Sequence, residues 1–239
     1  MKKIFLLISA MSFSLLMYAQ KQFVVDPNAE MRSLNGSFKT IIVSGGIELY
    51  LSQSDKEGIA VSASDENNKA DIKTVVENNV LRIYYDGDKG WTRHNKHLRA
   101  YVAFTDLEKL EGSGASDIIV AGDIKVTSLL LKLSGASDFK GSVQVNALTM
   151  DLSGASDVNI SGTASVVNIE SSGASDVKAY GLVADVCTAK ASGASDVSIT
   201  VNKEMNAHAS GASDISFKGQ GVIREMQSSG ASSISKKNR

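Results

Sequence analysis

The side chains most open to chemistry in this 239-residue chain recur at nearly regular intervals. Asp117, Asp138, Asp157, Asp176, Asp196 and Asp214 each end a Gly-Ala-Ser-Asp tetrapeptide, and a seventh copy ends in Ser233. If successive copies stack, neighbouring carboxylates lie about 5 Å apart and repel by roughly 1 kcal/mol per pair in bulk water. Something must offset that repulsion. Calcium shared between adjacent loops would do so through oxygen ligands. The other solution is hydrogen bonding, with each Asp accepting from turn amides and from Ser hydroxyls such as Ser116 and Ser137. The residue pattern favours the second solution, because calcium-binding nonapeptide loops carry more glycine and a shorter period. Calcium is thus the one ion to consider, and no other cofactor is expected.

Other reactive side chains read more simply. Trp91, Tyr84, Tyr85 and Tyr101 could form a platform for the apolar faces of a glycan, although period-two alternation buries some of them in a core instead. His94 and His97 are three apart in a Gly-rich, charged stretch, which reads as an exposed loop rather than a metal site. Cys187 falls in an apolar column and is expected to be an inert buried thiol. Many polysaccharide lyases and hydrolases are β-helical and use paired carboxylates, so that chemistry must be weighed. Acid and base catalysis needs two groups in different environments, whereas these Asp residues are equivalent by repetition. No catalytic residue is assigned.

The elements that must position these residues follow from the spacing. The repeat glycines Gly114, Gly135, Gly154, Gly173, Gly193, Gly211 and Gly230 are separated by 21, 19, 19, 20, 18 and 19 residues. A fixed period near 20 signals a solenoid whose repeats stack on one another, and the unit is too short for two helices. Aligned on the glycine, residues four before it (Leu131, Met150, Ile169, Ala189, Ala207, Met226) and two before it (Leu133, Leu152, Ser171, Ala191, Ala209, Ser228) face inward. Lys132, Asp151, Glu170, Lys190 and His208 alternate outward between them, as in a strand with one buried face. The residue after each Asp is again apolar, and Gly122, Gly162, Gly181 and Gly219 mark a second bend. The repeats are therefore read as rungs of about 19 residues in an all-β parallel β-helix, or solenoid, with successive rungs about 4.8 Å apart. The seven glycines are read as its structural turns.

Ahead of the repeats, Phe38 to Val43, Ile47 to Leu51, Ile59 to Val61, Ile72 to Val76, Val80 to Tyr85 and Leu98 to Phe104 are short β-prone runs, with Asn78-Asn79 as a hairpin turn. They are expected to form a β-rich cap covering the first rung. Lys2 and Lys3, the apolar run Ile4 to Met17 and the small Ala19 form a secretory signal peptide. The apolar run is too short to span a membrane. A formal net charge of −1 excludes a phosphate-backbone binder, and one cysteine excludes an internal disulfide. The expected organisation is a signal peptide over 1–19, the cap and first turns over 20–113, the solenoid over 114–235 and a charged tail over 236–239.

The signal peptide, the opening Phe38 to Leu51 with Ser44-Gly45-Gly46-Ile47-Glu48, the segment Leu98 to Leu110 and the run of Ser-Gly-Ala-Ser-Asp copies together resemble the family called "putative auto-transporter adhesin, head GIN domain". Gly46-Ile47-Glu48 takes the place of the Gly-Ile-Asn associated with that name. The resemblance implies an exported protein of Bacteroidetes-type bacteria built as a right-handed parallel β-solenoid, and brings no catalytic residues with it. The chain is accordingly read as a secreted, non-enzymatic, adhesin-like interaction module of the periplasm, the outer-membrane surface or the exterior, with a glycan or a surface protein as ligand. Two alternatives stand beside it: a polysaccharide-degrading enzyme and a homo-oligomerising scaffold.

Overall fold

The computed structural model describes residues 26–87 and 96–237. The signal peptide and the residues Trp91 and His94 lie outside these. In chain order the elements are β1 (Glu30–Arg32), β2 (Thr40–Val43), β3 (Glu48–Gln53), β4 (Gly58–Ser62), α1 (Glu66–Asp71), β5 (Ile72–Glu77), β6 (Val80–Tyr85), β7 (Arg99–Phe104) and β8 (Lys109–Gly112). Five long strands follow, β9 (Asp117–Leu133), β10 (Asp138–Leu152), β11 (Asp157–Ser171), β12 (Asp176–Ala191) and β13 (Asp196–Ala209). The stack ends with β14 (Asp214–Lys218), β15 (Val222–Ser228) and, above β14, β16 (Ser233–Lys236).

The long strands pair in parallel, each one rung above the last, and form a β-solenoid as the repeat period requires. Their inward residues stack into apolar columns. Leu131, Met150, Ile169, Ala189 and Ala207 are buried in one, and Ile118, Phe139, Val158, Val177, Val197 and Ile215 in another. Side chains thin from Leu to Ala toward the C-terminus, but Leu182, Met205 and Phe217 in the same turns are fully buried and fill the section. Cys187 is buried among them, and loss of hydration pushes its thiol pKa up to about 12.

The corner between rungs is set by the backbone. Each repeat glycine has φ between 75° and 80°, a region that side chains with a Cβ rarely enter. From Gly135 on, each following Ala donates its amide to the glycine carbonyl one rung below, at 2.7 Å from Ala136 to Gly114 and at 2.7 Å again from Ala194 to Gly173. A Cβ on Gly193 would stand 2.6 Å from that same Gly173 oxygen. The corner Ser residues are buried as well. Ser116 Oγ donates to Ser113 O at 3.1 Å and Ser137 Oγ to Ser134 O at 3.0 Å. This corrects the expectation that these hydroxyls reach the Asp carboxylates: they point inward, where a buried hydroxyl must find a carbonyl.

The solenoid begins well before the first Gly-Ala-Ser-Asp. The chain from β2 to β3 turns through Ser44-Gly45-Gly46-Ile47 and forms a complete corner below that of β8 and β9, in register with Thr40 against Lys109 and Glu48 against Asp117. β6 and β7 then stack on the other side of β2 and β3, so the first rung in the chain is the second in space. Two antiparallel additions close this end: β4 with β1 on β7, and β5 on β6 through a tight turn at Asn78 and Asn79, whose φ values are 50° and 61°. The helix α1 starts at Asp65, whose side chain accepts from the Asn68 amide.

Gly193→Ala places a methyl group against a backbone carbonyl at positive φ and is expected to lower unfolding free energy by about 3 kcal/mol or more. At Gly122, where φ is 89° and no atom lies within 4 Å of the added carbon, the same change should lose only about 1 kcal/mol. Denaturant unfolding of the two variants checks this; equal losses would mean that the stacked corner is not sterically closed.

Candidate functional site: the carboxylate ladder

The repeat aligns all six aspartates. Asp117, Asp138, Asp157, Asp176, Asp196 and Asp214 are direct neighbours in successive rungs, on the outward face of the first half of each turn. Glu48 extends the column downward beside Asp117. It went unread as a ladder member, although aligning Ser44-Gly45-Gly46-Ile47-Glu48 with Ser113-Gly114-Ala115-Ser116-Asp117 would have placed it there. The seven carboxylates form a straight acidic line with a strand-spacing repeat of about 4.8 Å.

Both ends of the line are closed. Arg99 is the strand neighbour of Glu48 and holds its Oε2 through Nε at 2.8 Å. At the far end Ser233, in the position of a seventh Asp, donates its hydroxyl to Asp214 Oδ1 at 2.7 Å and its amide to the same oxygen at 3.1 Å. Midway, Lys178 Nζ stands 3.7 Å from both Asp157 Oδ2 and Asp176 Oδ2. Asp138 Oδ1 accepts from the Asp157 amide at 3.3 Å. Among the described residues no three carboxylate, imidazole or thiol groups converge on one point as a metal ion would require. Adjacent ladder members offer two carboxylates, against the six to eight oxygens that calcium takes.

Shallow grooves run beside the line. One of about 330 Å³ lies over Asp117, Asp138, Asp157 and Lys140, and another of about 310 Å³ over Asp176, Asp196, Asp214 and Ser233. Two residues beyond Arg99 and the acids above it runs a parallel outward column, Tyr101, Tyr50, Ile119, Lys140, Asn159, Lys178 and Ser198. The Tyr50 and Tyr101 rings stack with centroids 5.2 Å apart. Tyr101 donates to Asp26 Oδ2 at 2.9 Å and Ser62 to the same oxygen at 2.6 Å; the Ser62 bond leads the causes that hold the Asp26 pKa below its ordinary value. Burial raises the pKa of both phenols, so they stay protonated donors. A cavity of about 540 Å³ adjoins this pair, lined in part by Asp26, Pro27, Arg99 and Ala121.

The other aromatic candidates are spread apart. Tyr84 is exposed on β6, whereas Tyr85 packs against the core and donates to Asn68 Oδ1 at 2.7 Å. Trp91 lies outside the described residues. The partner of Tyr101 is thus Tyr50, a contact set by strand register that the sequence pattern did not reveal.

A column of equivalent carboxylates on a parallel sheet face, bounded by a cation and a hydroxyl, defines a β-solenoid with a repeating polar surface. Residues 37–221 match the family described as "putative auto-transporter adhesin, head GIN domain", and the chain belongs to that family. Among solved structures it is similar to a "putative adhesin" from Bacteroides fragilis, with 21% identity, a TM-score of 0.76 and coverage of 87% of this chain and 95% of that one. A "putative adhesin" from Parabacteroides merdae aligns with a TM-score of 0.71 at 16% identity, covering 89% and 98%. A "putative lipid binding protein" from Parabacteroides distasonis aligns with a TM-score of 0.64 at 21% identity, again covering 89% and 98%. No curated protein matches the chain. Among the described residues no helix is long and apolar enough to cross a membrane.

Loss of hydration, followed by the charges of Asp138 and Glu48, raises the pKa of Asp117. A carboxyl whose pKa is higher folded than unfolded binds its proton more tightly when folded, so its contribution to stability falls as pH rises through that window. Asp117→Asn should therefore raise the thermal midpoint at pH 7, and the gain should vanish below about pH 4, where both states are protonated. A lowered midpoint at pH 7 would show that the ladder charge is stabilising.

Proposed function

We propose that this protein is an exported, non-enzymatic interaction module of the cell envelope that holds a surface glycan or surface protein through repeated contacts along its ladder face. The observation that carries this reading is the equivalence of the carboxylates. Register places Asp138, Asp157, Asp176 and Asp196 at the same point of successive rungs, each flanked by its own kind. Catalysis by a carboxylate pair needs one acid and one base driven apart by different surroundings. Equivalent groups at a fixed spacing instead suit a ligand that repeats, since each further contact is made at high effective concentration. The adhesin and lipid-binding names of its structural relatives support binding as the general role, and the family supports a position outside the cytoplasm.

The chain from Gln20 onward should bind immobilised polysaccharide or mucin-type glycoprotein saturably and release no sugar product. The triple variant Asp138→Asn, Asp157→Asn, Asp176→Asn should fold and lose at least about tenfold in affinity, or roughly 1.4 kcal/mol. New reducing ends or unsaturated sugars in solution would establish the polysaccharide-degrading enzyme instead. An unchanged affinity in the triple variant would remove the ladder from the binding surface.

A further inference from the structure

The two ends of the solenoid are built differently. At the N-terminal end the three-residue β1, with Glu30 and Arg32, and the helix α1 finish the stack. At the C-terminal end β14 is covered by β16, and Lys236 reaches over, with Nζ 3.1 Å from Gly221 O and 5.8 Å from the Phe217 ring centre. β15 is left bare. It pairs with β13 on one side, and among the described residues its outer edge meets no strand. All seven of its residues are exposed, with Val222 at 59%, Ile223 at 41% and Met226 at 55%. Ile223 and Met226 continue inward columns, over Met205 and Ala207. An open edge that exposes three apolar side chains is what soluble proteins usually bury or guard.

The charges on β15 are of opposite sign and adjacent. We infer that β15 is a self-complementary interface through which two copies of this chain pair tail to tail, β15 antiparallel to β15. A two-fold axis midway between Arg224 and Glu225 sets Arg224 opposite the second copy's Glu225, and Glu225 opposite its Arg224. The same register sets Ile223 opposite Met226 and Val222 opposite Gln227. The register with β13 skips Arg224, which is the extra residue of a bulge and stands outward together with Glu225, between the inward Ile223 and Met226. Directly opposed residues of an antiparallel pair share a face, so the two ion pairs form on the outward side and the apolar pairs join the cores. Shifting the axis onto Glu225 would instead oppose two carboxylates, so the charges select one register. Within one copy Arg224 already lies 2.7 Å from Glu204 Oε1, which holds it at the edge. Such an interface is isologous and closes at two copies. It is independent of what the ladder face binds.

Sedimentation equilibrium of the chain from Gln20 onward tests this, with circular dichroism reading folding separately. The unaltered chain should dimerise at about 10–100 μM, as expected of a small interface. Arg224→Glu and Glu225→Arg, each alone, oppose like charges and should weaken the dimer at least tenfold. The double variant carrying both restores the pairs in reversed order and should recover association. Met226→Lys should abolish it without unfolding the rungs below. A monomer up to about 1 mM, or a dimer indifferent to the single charge reversals, overturns the proposal.

Discussion

The whole molecule depends on how closely one corner backbone sits on the next. From Gly135 to Gly230 each rung places an Ala amide 2.7 to 2.8 Å from the glycine carbonyl below it, at a point where no side-chain carbon fits between. Only glycine meets both demands, positive φ and backbone contact. Once the corner is fixed, register follows along both arms of the rung, because a one-residue slip would turn every inward side chain to solvent. The buried Ser of each corner adds an internal tie by donating to the carbonyl three residues back, which removes an otherwise unsatisfied hydroxyl.

The carboxylate ladder is a consequence of the same register. A residue type repeated at one point of the rung must form a column, and an Asp column gathers like charge. The structure tolerates this because the acids face solvent, Lys178 lies between two of them, and the line ends on Arg99 and on Ser233. The opposite arm solves its charge problem differently, mixing lysines with acids so that Lys132 meets Asp151 at 2.8 Å and Lys190 meets Glu170 at 3.0 Å, although Asp151 and Glu170 are themselves neighbours. One arm thus pairs most of its acids with lysines of the same column, and the other leaves most of its carboxylates without such a partner. That contrast is why the ladder face, rather than the paired face, is read as the surface that meets a ligand.

The repeated half was legible because one four-residue signature recurs in phase with its own hydrogen bonds. The inward columns through Leu131, Phe139 and Val197, the turn glycines and the buried Cys187 all lie where the spacing put them. The first half was legible as strands but not as topology. Glu48 and Arg99 become neighbours because the chain goes back beneath its own first rung before climbing, and such a reversal leaves no period in the sequence. The Tyr50 and Tyr101 stack is hidden for the same reason. Glu66 to Asp71 was missed as a helix because one turn shows little periodicity, and its cap at Asp65 was the available sign. The direction of the corner hydroxyls follows from burial, which alternation alone did not assign to a Ser beside an Asp.

Amide hydrogen exchange at the corner alanines tests the central role of the stacked backbone most directly. Ala136, Ala155 and Ala174 are exposed to solvent, and an exposed turn without a fixed partner exchanges quickly. If the corners hold the solenoid together, these amides exchange only with global unfolding, as slowly as those of buried Val158 and Val177. Exchange at the corners that is fast while the strands stay protected would contradict the account and place the stability in the apolar columns alone.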